Sequence, residues 1–127
     1  MMEDELIKKA KQAREKAYVP YSKFKVGAAL LGKSGTIYTG CNIENSSFSL
    51  TCCAERNAIF KAISEGEKSF EKMAVIADTT DAVSPCGACR QVMVEFFTKD
   101  TNILLSNMKN NVNRTTAGAL LPFYFSL

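Results

Sequence analysis

Three of the five cysteines stand at the starts of two helices, and this placement constrains the fold more than any other feature of the chain. Cys86-Gly-Ala-Cys89 opens one helix, so its two sulfurs lie at i and i+3 on one face. Cys53 opens the preceding helix in the same way. Three sulfurs at two helix N-termini meet if both helices begin at the same edge of one sheet, and the helix ends there favour thiolates. Three thiolates leave a tetrahedral zinc ion one ligand short, the mark of a catalytic rather than a structural site. Glu55 follows Cys53 by two residues. Because Cys53 stands half outside its helix, both side chains reach one site, and a carboxylate there suits a base that activates water. The chain has no histidine, which excludes every mechanism that needs an imidazole base or ligand.

The hydropathy pattern supplies the elements around these cysteines. Residues 4–18 place Leu6, Ile7, Ala10, Ala13 and Ala17 on one face of an amphipathic helix, which Pro20 ends. FKVGAALL (24–31) reads as a strand, and Gly32-Lys33-Ser34-Gly35 turns it into a second strand over 36–41. A helix runs from Cys53 with Ala54, Ala58, Ile59, Ala62 and Ile63 at helical spacing, and Gly66 stops it. MAVIAD (73–78) is a buried strand. Ser84-Pro85 opens a helix as N-cap and first-turn proline, with Cys89, Val92, Met93, Phe96 and Phe97 as its apolar face. NILLSN (102–107) is a further strand, a weaker one lies near 111–116, and a helical turn precedes Pro122. The order αββαβαβ(β) implies a mixed sheet with helices packed on its faces.

At 127 residues with no repeat or linker, the chain reads as one domain spanning 1–127. The 46% hydrophobic and 23% charged content excludes disorder. A net charge of +3, scattered along the sequence, argues against nucleic acid or an anionic membrane as the partner. No apolar run approaches the ~20 residues of a membrane span. The start, MMEDELIKKAKQ, is charged rather than signal-like, which makes the expected location cytoplasmic. An odd cysteine count in a reducing compartment then points to metal binding, redox chemistry or burial rather than disulfides. A redox reading of Cys86-x-x-Cys89 leaves Cys53-Ala-Glu55 unexplained. Cys41 and Cys52 read as packing residues, because the zinc site needs only three cysteines.

The pairing of C-A-E with P-C-x-x-C resembles the signature of the zinc nucleoside and nucleobase deaminases. More narrowly, the chain resembles the small homotetrameric cytidine deaminases over 18–31 (YVPYSKFKVGAALL), 40–45 (GCNIEN), 53–65 (CAERNAIFKAISE), 84–92 (SPCGACRQV) and 120–122 (LLP). The resemblance implies an α/β fold, a three-layer α/β/α sandwich on a mixed, mostly five-stranded sheet. It implies hydrolytic deamination of cytidine and 2′-deoxycytidine to the uridines with release of ammonia, a step of pyrimidine salvage. One Zn²⁺ per chain is implied at Cys53, Cys86 and Cys89, with Glu55 as proton shuttle. Substrate contacts are implied at Phe24 (stacking on the pyrimidine), at Asn42 and Glu44 (ribose hydroxyls), and at the backbone around Ala54. A homotetramer with shared active sites is implied too, Phe125 reaching a neighbour's pocket.

On the residues alone Phe24 and Phe125 read as packing residues, and Arg56 as a surface residue. Beside the implied site Arg56 gains a role: Zn²⁺ with three thiolates sums to −1, and a guanidinium on the sulfurs withdraws charge and restores Lewis acidity. The chain departs from the family in carrying Phe48 where a tyrosine is frequent, and in ending at Leu127, a few residues past LLP. Two other functions are open to this sequence. One is a deaminase of another cytosine-containing small molecule or of a nucleic-acid base. The other is a non-enzymatic zinc module, which needs Cys41 or Cys52 as a fourth ligand.

Overall fold

The computed structural model describes residues 2–127. Its elements are α1 (Met2–Arg14), β1 (Val26–Gly32), β2 (Ile37–Cys41), a 3₁₀ turn (Phe48–Leu50), α2 (Ala54–Ser64), β3 (Phe70–Ala77), α3 (Gly87–Phe96), β4 (Asn102–Asn107), β5 (Val112–Thr116) and α4 (Ala117–Leu120). The five strands form one sheet in the order β2-β1-β3-β4-β5. Only β3 and β4 run parallel; every other neighbouring pair is antiparallel. The mixed sheet expected from the sequence is therefore observed.

Period-2 alternation along β1, β3 and β4 sends side chains to two faces. Ala29, Leu31, Ala74, Ile76 and Leu104 meet Leu6 and Ala10 of α1 on one face. Ala28, Leu30, Met73, Val75, Ile103 and Leu105 pack on the other against Ala58 and Ile59 of α2 and Met93 of α3. Helices on both faces make three layers, as the resemblance implied.

The strand register decides where α2 and α3 begin. Gly27 pairs with Cys41 and Val26 with Ala77, so β2 and β3 leave the sheet at the same end, one on each side of the start of β1. The chain reaches α2 from one exit and α3 from the other. Gly40 tightens this corner: a Cβ there would lie 2.5 Å from both the Ala54 carbonyl oxygen and the Ala58 nitrogen. Only a residue without a side chain lets the first turn of α2 seat directly on β2.

Several boundaries differ from the sequence reading: β1 begins at Val26 rather than Phe24, β3 at Phe70 rather than Met73, and two helix ends move for reasons that the hydrogen bonds show. The first helix stops at Arg14 rather than near residue 18. Beyond it, Tyr18 leaves the helical path to pair with the segment after β2: its N–H donates to the Asn42 carbonyl at 3.0 Å, and its carbonyl accepts the Glu44 N–H at 2.8 Å. The N-cap of α3 is Cys86, not Ser84, and Pro85 lies outside the helix. The Cys86 sulfur accepts the Cys89 N–H at 3.4 Å, while Ser84 Oγ accepts Arg90 Nη2 at 2.7 Å.

Candidate active site

Both helix starts bring their cysteines to the corner where β2 and β3 exit. Cys53 is the N-cap of α2 and Cys86 that of α3, with Cys89 one turn further on. Cys53 Sγ lies 3.8 Å from Cys86 Sγ, and Cys86 Sγ 3.3 Å from Cys89 Sγ. All three sulfurs fall within 4.8 Å of one another. Tetrahedral ligation with Zn–S near 2.3 Å separates sulfurs by about 3.8 Å, so this donor set fits zinc with little adjustment. Cys89 is buried and Cys86 exposed, which leaves the group closed on the protein side and open towards solvent.

Glu55 is buried in the first turn of α2. Burial, reinforced by the negative Cys53, pushes its carboxyl up to about 7, while the Cys89 thiol within hydrogen-bonding reach works the other way. Hydrogen bonding from Cys89 and from Arg56 holds the Cys53 thiol down to about 5. Donating that hydrogen bond to Cys53, together with burial, holds Cys89 well above the ordinary thiol range. Arg56 lies on the sulfurs, Nη2 donating to Cys53 Sγ at 3.4 Å, and among the described residues its Nε is buried without a partner. A cationic group with an unanswered buried donor beside three sulfurs belongs to a site that carries thiolate charge. Cys41 and Cys52 lie outside the cluster, and burial raises both thiols.

The other expected residues ring this corner. Ala54 is fully buried as the first residue of α2. Phe24 is 42% exposed just before β1, too open for a core residue. Asn42 Oδ1 accepts the Val26 N–H at 2.9 Å, and its Nδ2 donates to the Phe24 carbonyl at 2.8 Å. Glu44 is buried, and hydrogen bonds led by the Ser22 hydroxyl hold its carboxyl below the usual range. Phe125, on the terminal segment, is 69% exposed, too open to be packed into the core of its own chain.

Two residues that tie together the elements around the cysteines escaped the sequence reading. Asn57 Nδ2 donates to the Cys41 carbonyl at 2.8 Å, tying α2 to the end of β2. Arg90 donates from Nε to the Pro85 carbonyl at 2.9 Å and from Nη1 to the Leu120 carbonyl at 2.8 Å, joining the cysteine loop to the terminal segment. Helical periodicity places both on partly polar faces, and only the tertiary contacts reveal them.

The chain matches the family model for the "Cytidine and deoxycytidylate deaminase zinc-binding region" over residues 1–105. It belongs to that family. Among its relatives, the cytidine deaminase of Sporosarcina psychrophila is 58% identical over 123 residues, covering 97% of this chain and 90% of that protein. The cytidine deaminase of Halalkalibacterium halodurans is 55% identical over 121 residues, covering 95% and 92%. The crystal structure of a cytidine deaminase from Burkholderia pseudomallei superposes with a TM-score of 0.96 at 49% identity, over 98% of this chain and all of that one. The protein is thus a zinc-dependent deaminase of this family, with the α/β fold of its structural neighbours. Among the described residues no helix is long and apolar enough to cross a membrane.

Proposed function

We propose that the chain hydrolyses cytidine and 2′-deoxycytidine to the corresponding uridines and ammonia, acting over 1–127 as one domain. The observation that carries this reading is the buried Glu55 carboxyl beside three convergent sulfurs. In this reading Cys53, Cys86 and Cys89 hold the zinc, one ion per chain. When bound, zinc supplies Lewis acidity that makes water nucleophilic near neutral pH.

The remaining chemistry belongs to side chains. Glu55 moves both protons of the attacking water: the first goes to N3 of the pyrimidine as oxygen adds to C4, the second to the departing amino nitrogen. One group serves as base and then as acid, which suits a carboxyl held near neutrality by burial. Arg56 disperses thiolate charge through its contact on Cys53. Phe24 stacks on the base, Asn42 and Glu44 bind ribose hydroxyls, and the backbone around Ala54 contacts the pyrimidine. Phe48, 62% exposed, brings no hydroxyl to the pocket.

Assembly completes the site in this reading. Exposed Phe48 and Leu50 beside it, and Phe123 and Phe125 on the terminal segment, support a homotetramer in which Phe125 enters a neighbour's site. The modest, scattered charge supports a free nucleoside over a nucleic acid, whose phosphates need basic contacts.

The test is absorbance and ammonia release on adding cytidine to the purified protein, with metal analysis of cysteine variants. Turnover is expected, with one zinc per chain that is lost in Cys53→Ala, Cys86→Ala and Cys89→Ala and kept in Cys41→Ala and Cys52→Ala. Zinc retained in Cys53→Ala but lost in Cys52→Ala overturns the ligand set. Zinc bound by four thiolates without turnover makes the chain a non-enzymatic zinc module.

A further inference from the structure

Between the residues read as base-facing and sugar-facing lies a hydroxyl that the reaction does not use. Ser22 sits in the turn Val19–Lys23, which Lys23 closes by donating its N–H to the Val19 carbonyl at 3.0 Å. Lys23 takes φ 61, a left-handed conformation that costs a residue with a side chain and persists where the surroundings over-determine it. Ser22 Oγ does two things in this turn. It donates to Glu44 Oε2 and accepts the Phe24 N–H at 3.1 Å.

The rest of the network gives these two bonds their meaning. Glu44 Oε1 accepts the Tyr21 N–H at 3.0 Å and the Ser22 N–H at 3.2 Å. A carboxylate oxygen takes about two hydrogen bonds, so Oε1 is filled. Oε2 holds only the Ser22 hydroxyl and keeps one direction free. Phe24 is held at both backbone ends: its N–H through Ser22 to Glu44, and its carbonyl by Asn42. One hydroxyl therefore links the Glu44 carboxylate, whose other oxygen two N–H groups of the turn hold, to the backbone that carries the Phe24 ring.

We propose that Ser22 is a positioning residue that couples sugar recognition by Glu44 to base stacking by Phe24. The inference rests on the substrate contacts proposed above. Ser22 touches neither reacting atoms nor zinc, so its loss acts on binding and leaves the proton transfers intact.

Steady-state kinetics on the zinc-loaded protein with cytidine test this, together with the inhibition constant of 2′,3′-dideoxycytidine, which offers Glu44 no sugar diol. In Ser22→Ala, KM for cytidine is expected to rise roughly tenfold, the scale of one hydrogen bond to a charged group, with kcat nearly unchanged. The dideoxynucleoside is expected to lose several-fold less. Ser22→Thr, which keeps the hydroxyl, restores the cytidine value. Ser22→Ala combined with Glu44→Gln is expected to lose little more than Glu44→Gln alone, since both remove one coupled unit. Equal losses for both nucleosides, no loss, or strict additivity with Glu44→Gln overturns the proposal and leaves Ser22 a turn cap. Should Ser22→Ala fail to fold, Ser22→Cys, with its weaker donor, is read against the same two sets of outcomes. A wild-type chain that releases no ammonia from cytidine defeats the functional reading itself; an active wild type without the Ser22 discrimination defeats only this inference.

Discussion

Glu55 is a carboxyl placed where ionising is expensive, and stability and activity therefore pull against each other at this one side chain. Its folded pKa of about 7 lies above the ordinary value of 4.5, so the native state prefers the protonated form. Below pH 4.5 folded and unfolded chains are both protonated at this residue and nothing is lost. Between 4.5 and 7 the unfolded chain ionises first, and native stability falls by about 1.4 kcal/mol as the pH rises through each unit of that window. Above 7 the whole cost remains. Glu55→Gln removes the charge but keeps the shape. Relative to wild type it is expected to gain stability progressively from pH 4.5 to about 7 and to keep that gain above it, read by thermal unfolding at each pH. Turnover should fall by at least ~10²–10⁴, with zinc content unchanged. A stability difference that stays flat with pH contradicts the burial argument. Near-normal turnover means that another group moves the protons.

At the level of elements, the site is a consequence of two helices starting at one sheet corner, and Gly40 permits the tighter of those starts. A Cβ at 2.5 Å from the backbone of α2 has no side chain to push aside, so Gly40→Ala must shift the helix itself. It is expected to destabilise the fold by ~1–3 kcal/mol. Because Cys53 is the N-cap of the displaced helix, zinc should also pass more readily to a competing chelator. Zinc retention at the wild-type level with reduced stability confines Gly40 to packing. The sequence displayed the helix start at Cys53, the helix that carries Cys89 and the strand at 102–107 because these are written in local signals: apolar periodicity, turn glycines and motif spacing. It did not display contacts that arrive from far along the chain. Ser84-Pro85 carries a valid local capping signal, yet Arg90 engages the Ser84 hydroxyl and the Pro85 carbonyl, and the Cys86 sulfur caps the helix instead. The α1 pattern continues to residue 18, but pairing of Tyr18 with the segment after β2 draws the chain away. The family resemblance implied sugar contacts at Asn42 and Glu44; that these side chains also hold the turn bearing Ser22 and the backbone of Phe24 is invisible to any periodicity.

The whole molecule presents its cysteine corner open and its last residues unsheltered, and these two facts answer each other if chains associate. Phe125 is 69% exposed, and its carbonyl makes only a 3.5 Å contact with Gln91 Nε2, so its own subunit does not hold the ring. The segment is nevertheless anchored at its root, where Arg90 binds the Leu120 carbonyl. Sharing of sites through Phe125 is tested by mixing two defective chains. A Glu55→Gln chain has a dead site but a sound Phe125 to donate; a Phe125→Ala chain has a sound zinc site and a poor donation. Co-expressed in equal amounts and assembled at random, roughly a quarter of the sites in closed symmetric oligomers combine a good Glu55 with a good Phe125 from the other chain. Another quarter are impaired as in Phe125→Ala, and the half built on Glu55→Gln are dead. Equal amounts of the two separate homo-oligomers give only the impaired activity of one half. Mixed oligomers are therefore expected to exceed that sum by a margin that grows with the impairment of Phe125→Ala alone. Strict additivity in oligomers shown to be mixed, with Phe125→Ala clearly impaired, contradicts sharing through Phe125, because each ring would then serve only the chain that carries it.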